Sequence, residues 1–135
     1  MKTKVPATVS VIGLALILVA SASAQTWRLS ADIPFSFNVG DQEMQSGKYT
    51  VTILGDSALL IQSVESKKTA MSISNSMLTP SNLKNAKLMF NRYGDQYFLS
   101  SVSWPGGPSK ILPPTNIERQ AAKATSTRQL AINGQ

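Results

Sequence analysis

The chain has 135 residues, with 13 basic against 7 acidic side chains, a formal charge of +6, and no histidine or cysteine. That composition removes the commonest general base, the thiolate nucleophile and the usual ligands of zinc, haem and copper, so neither a metal nor an organic cofactor is expected. It also excludes disulfides, leaving stability to an apolar core.

The first two dozen residues read as an export signal. Lys2 and Lys4 give a positive start, Val9 to Ala20 an apolar run, and Ala22, Ser23 and Ala24 the small-x-small pattern accepted by signal peptidase. Residues 1–24 are therefore expected to be a signal helix that is cleaved, with the mature chain starting at Gln25. An uncleaved anchor is the alternative, since Val5 to Ala24 approaches the roughly 20 residues of a bilayer span. Thr8, Ser10, Ser21, Ser23 and the well-formed cleavage site favour cleavage. With Lys2 and Lys4 gone, 11 basic and 7 acidic residues remain and the formal charge falls from +6 to +4. Most of that excess lies after Ser109, so residues 25–108 are taken as a nearly neutral β-domain. Residues 109–135 are taken as a Pro-rich linker, a short helix and a frayed basic tail.

The mature chain alternates with a period of two. Trp27, Leu29, Ala31, Ile33, Phe35, Phe37 and Val39 share one side, which predicts a strand with one buried face. Pro34 interrupts it, as an edge, a bulge, or a break where the strand passes between sheets. Gly40-Asp41 turns the chain, and Lys48 to Leu54 resumes the alternation. Gly-Asp recurs at Gly55-Asp56 and Gly94-Asp95, where glycine accepts the positive φ of a tight turn. Ala58 to Val64 and Thr69 to Ser74 read as strands joined by the turn Glu65 to Lys68. Asn75 to Asn85 either holds a helical turn or crosses between sheets. Leu88 to Tyr93 and Gln96 to Trp104 form the clearest hairpin, with Arg92 opposite Tyr97 and Phe90 opposite Leu99. The segment PGGPSKILPP reads as irregular, Thr115 as a helix N-cap with Glu118 at capping-box spacing, and Asn116 to about Ala124 as a short helix. Thr125 to Gln135 is expected to fray. The fold expected is all-β, a small antiparallel β-sandwich or partly open barrel of about six or seven strands. The strands are too short for a membrane-spanning barrel.

IPFSFNVG, then SGKYTV, then LLIQS, then LMFNRYGDQYFLSSV followed by tryptophan and proline, together resemble a family of small secreted single-domain β-proteins common in acidobacteria and related soil bacteria. The similarity covers roughly Ser30 to Arg119. It implies a signal peptide plus one small β-domain, and carries no catalytic residues over. Gln45 and Ser46 stand where the family pattern has Pro-Ala, which assigns that part of the motif to a turn.

Three constellations carry candidate chemistry. Ser81 and Lys84 match the S-x-x-K of serine acyl-enzymes, without the companion S-D-N and K-T-G motifs. The acids lie almost entirely at turns and exposed strand positions, which speaks against a paired-carboxylate site or a calcium loop. Arg92, Tyr93, Tyr97 and Trp104 are the candidate binding residues, as a stacking platform for a sugar or peptide, set against packing across strands and capping of the sandwich end. Lys110, Arg119, Lys123 and Arg128 are the candidate surface-charge contact, set against a solvated helix. The function expected is an exported, non-catalytic β-module with a binding or structural role in the periplasm, envelope or medium. Its expected partner is an envelope polymer or another exported protein; export and a nearly neutral core argue against nucleic acid. The alternative is a small hydrolase using Ser/Lys or carboxylates without histidine.

Overall fold

A computed structural model describes residues 26–77 and 82–135; the expected signal, residues 1–24, and Ser81 lie outside them. Eleven strands and one helix are formed among the described residues, so the chain is all-β with antiparallel sheets, a partly open barrel.

The alternating N-terminal run is two strands, not one. β1 (Arg28–Ile33) ends where Pro34 removes a ladder donor, and the chain leaves its first sheet. β2 (Phe37–Val39) resumes in the second sheet and forms a hairpin with β3 (Gln42–Met44) across Gly40-Asp41. Gln45 and Ser46 carry the chain back to the first sheet and β4 (Gly47–Leu54). IPFSFNVGDQEMQSGKYTVTIL is thus a strand that changes sheets, turns and returns. β5 (Ala58–Ser63) and β6 (Thr69–Ile73) complete the first sheet in the order β1-β4-β5-β6.

Ser74 marks the next crossing, because β7 (Asn75–Met77) belongs to the second sheet. β8 (Lys87–Tyr93) and β9 (Gln96–Ser103) form the expected hairpin, with Arg92 paired to Tyr97 and Phe90 to Leu99. Gly94, at φ +61°, opens its two-residue loop in the left-handed region where glycine is favoured. A register shift after Met89 leaves Ser100 as an extra residue whose hydroxyl donates to the Met89 carbonyl, 3.1 Å. The bulge changes parity, so Leu99 and Val102, three apart, both reach the core.

Two expectations for the C-terminal quarter are corrected. The segment expected to be irregular contains β10 (Ser109–Ile111), paired with β9 on one side and β7 on the other. Its prolines flank that triplet and leave the backbone N–H groups of 109–111 free to pair. The tail expected to fray is β11 (Thr127–Asn133), seven residues paired with β8 throughout. Strand pairing therefore crosses the boundary expected at residue 108. The second sheet runs β11-β8-β9-β10-β7. It closes on the first where Ser30 and Gln135 exchange backbone hydrogen bonds of 2.9 and 2.8 Å. α1 (Asn116–Ala124) has the expected bounds, with the Thr115 hydroxyl accepting from the Glu118 N–H.

The core fills the space between the sheets: Leu29, Ile33, Val51, Leu59 and Ile61 face Leu88, Phe90, Leu99 and Val102, with Phe37, Tyr49 and Trp104 among them. Each large apolar side chain buried there contributes roughly 1.5–3 kcal/mol. Tyr93 and Phe98 are also buried, edge to face at 5.7 Å, but stand outside that cluster. They share with Asn91 the other face of the second sheet, where α1 docks.

Candidate functional site

The four candidate binding residues divide between two ends and two faces. Arg92 and Tyr97 come together: Nε of Arg92 donates to the Gly94 carbonyl at 2.8 Å, and the guanidinium carbon sits 5.4 Å from the Tyr97 ring centre. Tyr97 in turn stacks on Phe35 with ring centres 3.9 Å apart and planes 17° from parallel. Tyr93, one residue away, points to the opposite face of the sheet, and its hydroxyl donates to Glu118 Oε1 at 3.2 Å. Trp104 lies at the far end of β9 and is 4% exposed, part of the core. The aromatics do not form one platform.

Nor do the four tail charges form one surface. Arg119 and Lys123 are exposed on α1, whereas Lys110 is only 5% exposed. The expectation of a surface charge at Lys110 is corrected by its register: it pairs with Val102, on the core-facing side of the second sheet. Arg128 is exposed on β11 and lies directly opposite Arg92 on β8. That register joins one member of each candidate set.

An open cleft of about 250 Å³ surrounds the two arginines, lined besides them by Gly94, Thr125 and Ser126. No carboxylate lines it, and like charges directly opposite one another on neighbouring strands repel. Stacking on Tyr97 and the bond to Gly94 hold one guanidinium in place, and the hydroxyl-bearing Thr125 and Ser126 line the same cleft. Planar guanidinium forks with adjacent hydroxyl donors suit phosphate, sulfate or carboxylate.

Glu118 and Lys110 are used in holding elements together. Glu118, read from the sequence as half of a capping box, is 5% exposed and turns to the sheet, accepting from Asn91 Nδ2 and Tyr93 Oη at 3.2 Å each. Burial, and then the Glu118 carboxylate, push the Tyr93 hydroxyl above its ordinary pKa; burial, and then Glu65, do the same for Tyr49. Lys110 Nζ donates to the Asp56 carbonyl at 2.7 Å and to Ser76 Oγ at 2.8 Å, tying the second sheet to the β4–β5 turn of the first. No spacing in the sequence announces either contact, because Lys110 and Asp56 are 54 residues apart.

Ser81 of the S-x-x-K match lies outside the described residues. Lys84 is exposed and lines an open cleft of about 560 Å³ with Lys87, Ser101 and Ser103. Ser103 Oγ accepts from Ser109 Oγ at 2.8 Å. Among the described residues, no three acidic side chains gather as a metal site, and no helix is long and apolar enough to cross a membrane. Comparison with protein-family models, curated proteins and solved structures finds no match for this chain.

Proposed function

We propose that the chain is an exported, non-catalytic β-module that binds an anionic polymer of the periplasm or envelope through the Arg92–Tyr97–Arg128 end of its second sheet. The observation that carries this reading is the cross-strand pairing of Arg92 with Arg128 in a cleft that no carboxylate lines. An anion bound between them would relieve their repulsion and gain two charge-assisted contacts. Export rests on the N-terminal sequence and on the resemblance to small secreted β-proteins of acidobacteria and related soil bacteria.

The test is co-sedimentation of the chain from Gln25 with isolated envelope fragments at low and high salt, beside the double variant R92Q/R128Q. Salt-sensitive binding that the double variant loses supports the reading. Binding that survives in the variant moves the contact elsewhere, and no binding by the parent protein ends the envelope assignment. A second reading, a small hydrolase, draws on the cleft shared by Lys84, Ser101 and Ser103. It requires an esterase activity that Lys84→Met abolishes.

A further inference from the structure

Lys110 fastens the two sheets and also lines an open cleft. The residue is 5% exposed, and both hydrogen-bond partners of its ammonium, the Asp56 carbonyl and the Ser76 hydroxyl, are neutral. An ammonium has three donors, so one N–H remains beyond those two bonds. A charge removed from water and left with neutral acceptors gains strongly from a nearby anion. Lys110 lines a cleft of about 640 Å³, a volume within the range of small-molecule sites. Arg28 supplies a second cation at the same cleft, and Trp27, Ile53, Leu60 and Pro108 give it an apolar wall. Trp27 is held against the 105–108 loop: a Cβ on Gly107 would lie 2.6 Å from the indole ring, so only glycine lets the backbone approach so closely. Asp56 is the acid in the lining, exposed at the turn, and it sets a limit on how much negative charge the cleft accepts.

We infer that this cleft binds a small organic monoanion, a carboxylate on a flat apolar body, with the carboxylate on Lys110 and Arg28 and the body against Trp27. The site is separate from the arginine pair and does not depend on the envelope reading.

Benzoate is the probe, titrated into the chain from Gln25 and followed by tryptophan fluorescence and calorimetry, with acetate and inorganic phosphate as comparisons. The expected result is saturable benzoate binding, with acetate and phosphate at least about tenfold weaker. Arg28→Gln and Lys110→Met should each weaken benzoate by about tenfold, and Asp56→Asn should tighten it. If Lys110→Met does not fold, Arg28→Gln and Trp27→Leu decide. Absence of saturable benzoate binding overturns the site. Unchanged affinity in the folded variants overturns the residue assignment. Phosphate or acetate binding as tightly as benzoate overturns the part given to the apolar wall.

Discussion

The two ends of β9 handle positive charge in opposite ways. Near its start, Arg92 and Arg128 stand side by side in solvent, one stacked over Tyr97, in a cleft without a carboxylate. Near its end, Lys110 is buried and its ammonium joins the two sheets through a carbonyl and a hydroxyl. Exposed charges repel weakly in water and are free to change partners; a buried charge must be satisfied before the chain is stable. The basic excess of this sequence thus has two uses. At one end it is available to a partner, and at the other it is first a fastening.

The largest way to disturb that contrast is to open the Lys110 end. Trp104 closes the core there, and Trp104→Ala should cost about 3–5 kcal/mol by leaving a cavity. Chemical denaturation measures it, and a loss comparable to that of an exposed residue would mean that the end is not packed. Lys110→Met should cost about 1–3 kcal/mol, because the Asp56 carbonyl and Ser76 hydroxyl lose their donor. A neutral or stabilising result would show that the desolvated ammonium outweighs its two bonds.

Two buried tyrosines, Tyr93 under α1 and Tyr49 in the core between the sheets, supply a pH-dependent comparison. The Tyr93 and Tyr49 hydroxyls are held neutral in the fold by burial and by Glu118 and Glu65, whereas in the unfolded chain they ionise near pH 10. The unfolded state then binds fewer protons than the folded one, so stability is fully present below about pH 10 and falls as pH rises through the raised folded pKa values. Melting temperatures from pH 9 to 11 should decline, and Tyr93→Phe should flatten the decline. An unchanged slope in Tyr93→Phe would remove Tyr93 from the effect.

The smallest effect is the most diagnostic. Arg128→Gln removes a like-charge neighbour from Arg92 and should leave stability unchanged or raise it by about 0.2–1 kcal/mol. At the same time it should weaken binding to anionic surfaces. A loss of stability in this variant would show that Arg128 is structural after all.

Much of the fold could be read from periodicity and turn chemistry. Period-two alternation and Gly94-Asp95 set the β8–β9 register; Pro34 marked an interruption, with a change of sheet as one of three readings; Thr115 placed the helix start. β11 was hidden because an edge strand pairs its backbone whatever its side chains, and TRQLAIN exposes nearly all of them. The signal that could have found it is the spacing of Leu130 and Ile132, which share one side of the strand with Arg128 opposite Phe90, Leu88 and Arg92. The site was half legible. Arg92 over Tyr97 follows from the hairpin alone, but Arg128 arrives only through β11. Lys110 looked like tail charge because its burial depends on a turn 54 residues away. The Ser100 bulge, which reverses the inward pattern of β9, leaves no mark in the sequence, since serine serves at either kind of position.

The most direct measurement is envelope binding and thermal stability on one preparation of R92Q/R128Q beside the parent chain. The variant should be at least as stable as the parent and should no longer co-sediment at low salt. A variant that binds as the parent does, or that loses binding only because it has unfolded, would contradict the assignment of function to the arginine pair.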